Sequence, residues 1–140
     1  YMAEKALFFD DQFRYKKIME ETNPKAMKNH GRAVKGYSDE AWYGPNSVNS
    51  TIEENPAKKA MYDGNYLKYT QNEKLLNLLI DTRGTTLVEA SPFDKRWGIG
   101  MKYCLAAHHS KFWKGKNWLG EVLTKLRDDL IKEREKNFLF

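Results

Sequence analysis

Apolar residues recur three to four positions apart over most of this chain, and the breaks in that rhythm mark out its elements. The opening stretch, Tyr1 to Phe9, sets Met2, Ala6 and Phe9 at helical spacing and reads as a helix entered part way along. Asp10 and Asp11 are placed to cap a second helix whose Phe13 and Ile18 turn inward. Asn23-Pro24 ends that helix and starts a third, Lys25 to Val34, interrupted at Gly31, since proline is already shaped for a first helical position. From Gly36 to Asn55 the period is lost at Gly44-Pro45-Asn46-Ser47 and Asn49-Ser50. Apart from a short turn around Ser38 to Trp42, this segment reads as a lid or insertion.

Pro56 opens a further helix through Ala60 and Met61, with a bend expected at Asp63-Gly64-Asn65 before Tyr66 to Gln71 resumes it. Asn72 caps Glu73 to Asp81, whose Leu75, Leu76, Leu78, Leu79 and Ile80 are too crowded for a surface helix and predict a central one. After the Arg83-Gly84 turn, the β-branched and apolar Thr85 to Ala90 predicts a short strand feeding an aperiodic loop, Ser91 to Gly100. Asn117 to about Lys136 carries Leu119, Val122, Leu123, Leu126, Leu130 and Ile131 at helical spacing. The sum is an α+β fold, predominantly helical with a few short strands, expected to form a single compact domain over residues 1–140.

Composition narrows the picture. A hydrophobic share of 41% with 31% charged residues fits a folded chain and excludes bulk disorder, and no apolar run has the length of a membrane span. The net charge of +5 favours anionic partners: phosphorylated small molecules, nucleic acid or acidic surfaces. Cys104, the single cysteine, cannot close an internal disulfide, and no signal-type segment opens the chain, so a cytoplasmic setting is expected. Phosphate-loop, dinucleotide-fold, zinc-protease and nucleophile-elbow patterns are all absent. His108-His109 diverge on any regular backbone and no third ligand is suggested by spacing, so no metal is expected; no cofactor is expected either.

Several blocks remain that packing alone does not demand. Asp94 and Trp97 flank a Pro-bounded turn followed by Gly98 and Gly100. Gly115-Lys116-Asn117-Trp118-Leu119-Gly120 opens the last helix, where amide groups and the positive end of the helix dipole can hold an anion. Added to these are Tyr1-Met2-Ala3-Glu4-Lys5-Ala6, Gly31-Arg32 with Val34, Trp42, Tyr66 to Asn72, and Leu87-Val88-Glu89-Ala90-Ser91-Pro92-Phe93-Asp94 with Trp97-Gly98-Ile99-Gly100. In order and content these blocks resemble the NADAR family, also called YbiA-like, which includes an N-glycosidase of riboflavin intermediates and ADP-ribosyl-guanine glycohydrolases. Members of that family usually open with a segment resembling F-x-S-N-F and carry a serine and glutamate just before the Tyr-Met step. Neither is present, so the domain is expected to lack its N-terminal segment, and Tyr43 to Asn55 is longer than the family's linker.

The resemblance implies hydrolysis of the N-glycosidic bond of an ADP-ribosylated base or a related ribosyl-phosphate metabolite. Positive charge develops at the anomeric carbon in such a cleavage, which assigns Asp94 and Glu89 as carboxylates that oppose it. Lys5 is implied as an acid, or as an amine that attacks the opened sugar aldehyde to give a Schiff base. Arg32 would fork onto a phosphate, Lys116 and the amides near Asn117 would take another anionic oxygen, and Trp42 or Trp97 would stack on a ring. Gly98 and Gly100 would let the backbone come close to the ligand. Lys5, Arg32, Trp42, Asp94, Trp97 and Asn117 are expected to line one pocket of a monomer that takes a small-molecule nucleotide or an ADP-ribosylated substrate, nucleic acid included, without membrane contact. The alternative is a non-catalytic module that binds NAD or ADP-ribose.

Overall fold

The structure, a computed structural model, describes residues 1–44 and 50–138, without the side chain of 138. Seven α-helices and two 3₁₀ turns make up its regular structure, and no strand is present among the described residues. The helices are α1 (Met2–Phe8), α2 (Gln12–Glu20), α3 (Pro24–Arg32), α4 (Asp39–Tyr43), α5 (Pro56–Thr70), α6 (Glu73–Asp81) and α7 (Trp118–Phe138); the 3₁₀ turns span Leu105–His108 and Ser110–Phe112. The chain divides into two compact units, Tyr1–Asp63 and Gly64–Phe140, with the division falling inside α5.

In the first unit α1, α2 and α3 pack on one another around Ala6, Ile18 and Val34, with Met2, Ala3, Phe9, Tyr15 and Met27 against them. The caps foreseen in the sequence are in place: Asp11 accepts from the Arg14 N–H, and Asn23 from the N–H groups of Lys25 and Ala26. Asp11 also accepts from the Lys35 N–H at 2.8 Å, so one buried carboxylate ties the start of α2 to the segment after α3. Gly31 does not interrupt α3. It sits in the last turn because a Cβ there would lie 2.1 Å from the Met2 sulfur and 2.9 Å from the Met2 Cβ, so its small size is used for helix packing. The segment foreseen as a lid is partly α4, capped by Ser38; its residues 45–49 lie outside the described ones. At its far end Asn55, fully buried, donates to the Tyr43 carbonyl, and the buried Lys58 ammonium donates to the Ser50 carbonyl at 2.9 Å.

The expected bend at residues 63–65 is absent, and α5 runs unbroken through Gly64. α6 is capped by Asn72 as expected but is not central: only Leu79 is buried on it, and Leu78 is 56% exposed. In the second unit α6 packs on α7, whose Trp118, Val122, Leu126, Leu130 and Ile131 are buried.

The α+β expectation is overturned in the same unit. Residues 86–90 form no strand, because the hydrogen bonds a neighbouring strand would supply come from a side chain: Asn117 accepts from the Glu89 N–H at 3.0 Å and donates to the Leu87 carbonyl at 2.9 Å. β-Branched composition suits a pleated neighbour, and none is offered here. Among the described residues no helix is long and apolar enough to cross a membrane.

Candidate functional site

Two groups of the foreseen residues are found, one in each unit. In the first unit, Lys5 lies four residues after Tyr1 on the same face of α1, and its side chain is only 8% exposed. Its ammonium sits 3.6 Å from the centroid of the Tyr37 ring, a cation–π contact. Burial holds the amine below the usual lysine range, partly opposed by the charge of Asp39. Asp39 in turn accepts a short hydrogen bond from the Tyr37 hydroxyl.

Trp42, on α4, is 1% exposed and donates through Nε1 to the Tyr1 hydroxyl at 2.9 Å. Its ring meets those of Tyr1 and Phe8 edge-on, each at 5.5 Å between centroids. The face assigned to a substrate ring is therefore enclosed by aromatic neighbours, and Trp42 anchors the cluster. Burial pushes the Tyr1 phenol up, against the lowering effect of Trp42; burial also raises Tyr37, reinforced by its bond to Asp39. Both phenols stay neutral while the amine beside them loses part of its proton affinity. Arg32 is exposed at the last turn of α3.

Reasoning from sequence missed Tyr1, Glu4, Tyr37 and Asp39 as participants. Glu4 has its carboxyl raised, first by burial, with Asp63 adding and Lys59 opposing. For Tyr1 and Glu4 the signal was their membership of the block that holds Lys5. Tyr37 and Asp39 gave none, because their partnership with Lys5 is made by the turn between α3 and α4.

In the second unit Asp94 turns the loop: Oδ1 accepts from the N–H groups of Arg96 at 2.9 Å and Trp97 at 2.8 Å. The Glu89 carbonyl takes the Ile99 N–H at 2.9 Å, folding the loop back on residue 89. Gly98 and Gly100 serve this fold-back. A Cβ on Gly98 would lie 2.8 Å from the Asp94 carbonyl oxygen, and Gly100 has φ +67° with the Lys114 backbone 3.1 Å from its Cβ position. The close approach they permit is of backbone to backbone.

The start of α7 is used in the same way. The N–H groups of Lys116, Asn117, Trp118 and Leu119 donate to the carbonyls of Lys95, Gly98, Arg96 and Trp97. The amides expected to take an anionic oxygen thus carry the loop. Asn117, 5% exposed and at φ +54°, spends its carboxamide on the 87–89 backbone. Trp97 packs edge-on against Trp118 at 5.8 Å, and the Lys116 ammonium lies 5.2 Å from the Trp118 ring centroid.

Residues 1–131 match the NADAR domain family. The chain is 40% identical over 129 residues to an N-glycosidase of Acanthamoeba polyphaga mimivirus, covering 91% of this chain and 69% of that one. It is 36% identical over 136 residues to the irg-1 protein of Caenorhabditis elegans, covering 96% of this chain and 60% of that one. A chloroplastic riboflavin biosynthesis protein PYRR of Zea mays is 35% identical over 71 residues, 51% of this chain and 10% of that one. No solved structure matches.

Proposed function

The chain belongs to the NADAR domain family, and from that premise we propose that it is an N-glycosidase acting on an ADP-ribosylated base or a related ribosyl-phosphate metabolite. The observation that carries the reading is Lys5: a buried amine, lowered in basicity and held on the Tyr37 ring. An amine in that state gives up its proton more readily than a solvated lysine, and its neutral form can act as a nucleophile. The mimivirus relative, named an N-glycosidase, supports the reaction type.

In this reaction the bond between the anomeric carbon and the base nitrogen breaks, water supplies the new hydroxyl, and its remaining proton goes to the departing nitrogen. Lys5 either delivers a proton to that nitrogen or adds to the aldehyde of the opened sugar, giving a Schiff base that water hydrolyses. Asp94, oriented by two backbone N–H groups, is the carboxylate assigned to oppose charge at the anomeric carbon, with Glu89 as the second. Arg32 is assigned to a phosphate through its exposed fork.

The test is release of free base from ADP-ribosylated and ribosyl-phosphate substrates. Asp94→Asn is expected to lower the rate by roughly 10²–10³ while leaving binding in place. Lys5→Ala is expected to abolish release, and borohydride should trap a covalent adduct in the parent and not in that variant. Stabilisation of the fold by ADP-ribose with no release from any such substrate would instead mark a binding module.

A further inference from the structure

The second unit also holds an open-mouthed cavity of about 610 Å³, a size that suits a small organic ligand. One wall is the chain from Thr85 to Ala90; the other is made by Tyr103, the 3₁₀ turns and Trp113. No Lys, Arg, Asp or Glu lines it.

The first wall has an unusual backbone. By donating to the Leu87 carbonyl and accepting from the Glu89 N–H, the Asn117 carboxamide makes the pair of bonds that a parallel strand would make across Val88. In such extended chain, successive residues point their N–H and C=O groups to opposite sides. Those of Val88 therefore face away from Asn117, and Val88 lines the cavity. Neither group has a hydrogen-bond partner among the described residues. The wall is held in place at its start by Arg127, 3% exposed, whose Nη1 donates to the Thr82 and Thr85 carbonyls at 2.8 and 2.9 Å.

The opposite wall is aromatic and also fixed. The Trp113 indole donates to the Ala107 carbonyl at 2.8 Å. Tyr103 is 75% exposed, with its hydroxyl 3.2 Å from His108 Nε2 and the two rings edge-on at 5.6 Å. Backbone with one unpaired donor and one unpaired acceptor thus shares the cavity with aromatic side chains, in a site lined by no lysine, arginine or carboxylate.

We propose that this cavity binds a neutral, flat heterocycle of nucleoside size whose edge carries a donor and an acceptor side by side. The ligand's edge pairs with the Val88 N–H and C=O, and its ring lies against Tyr103 and Trp113. Binding here requires no turnover and does not depend on the role given to Lys5.

Titration calorimetry on the full chain with inosine, whose ring carries an N–H beside a C=O, tests this directly. Saturable binding that added salt leaves unchanged is expected, since the ligand is neutral and no Lys, Arg, Asp or Glu lines the site. 1-Methylinosine, which has lost that N–H, should bind at least about tenfold more weakly. Tyr103→Ala, at a side chain exposed enough to be removed without disturbing the fold, should weaken inosine by about tenfold or more. Failure of inosine to bind, equal affinity for the two nucleosides, or unaltered affinity in Tyr103→Ala would each overturn the assignment. The nucleoside comparison is made on the parent protein and decides even where the variant fails to fold.

Discussion

Residues 1–63 carry 10 basic and 10 acidic side chains, whereas residues 64–140 carry 14 and 9, so the whole net charge of +5 belongs to the second unit. The two units also treat backbone polarity differently. Helices satisfy most of their own N–H and C=O groups, and in the helical first unit this leaves Lys5, Tyr37 and Asp39 to interact with one another and Tyr1 with Trp42. In the second unit the irregular segment 82–100 has no ladder, and side chains are consumed in place of one. Asn117 serves residues 87 and 89, Asp94 serves 96 and 97, and Arg127 serves 82 and 85. A polar residue in a family block can therefore hold backbone in place as well as stand where chemistry is proposed, as Asp94 does.

The largest expected effect comes from removing the side chain that replaces a strand. Asn117→Ala leaves the Glu89 N–H and Leu87 carbonyl without partners and should cost about 2–4 kcal/mol. Hydrogen exchange should quicken over residues 85–100 and stay unchanged over α1 to α3; equal quickening in both units would erase the contrast drawn above.

Asp11 is the converse test in the first unit. Asp11→Ala loses the cap of α2 and the tie to Lys35, at an expected cost of about 1–3 kcal/mol by chemical denaturation, with exchange quickening over α1 to α3. The N–H of Lys35, then that of Arg14, holds the Asp11 carboxyl below its usual range. Its contribution is thus complete above the ordinary aspartate value near ~4 and is lost as pH falls through the lower folded-state value. Asp11→Asn should flatten that part of the acid limb, and an unaltered limb would remove Asp11 as its source.

The smallest effect on stability is at Lys5. Its amine is lowered in the folded state, so between the folded and the ordinary lysine values the unfolded chain binds more protons and stability rises with pH. Lys5→Met should lose that rise and keep its fold. Retention of the rise would assign it to another group and weaken the case for a poised amine.

Much of the helical framework was legible in local chemistry. Asp11, Asn23 with Pro24, Pro56 and Asn72 each mark a helix start that the structure contains, because capping is decided within a few residues. The strand, the bend at Gly64 and the central place of α6 were misread. Each depended on a partner distant in sequence: whether residues 86–90 meet a strand or Asn117, and which side of a leucine-rich helix is covered.

The family blocks were visible in order along the chain, and several of them supply the side chains that hold irregular backbone in place. Sequence by itself determined the helix starts, the charge and the blocks, since these rest on local backbone preference and side-chain identity. Only the tertiary structure decided that Lys5 is dehydrated against Tyr37, that Trp42 is enclosed and that Asn117 and the amides of α7 are spent on the loop. Desolvation and hydrogen-bond pairing are properties of what surrounds a group, and those surroundings are assembled from segments far apart along the chain.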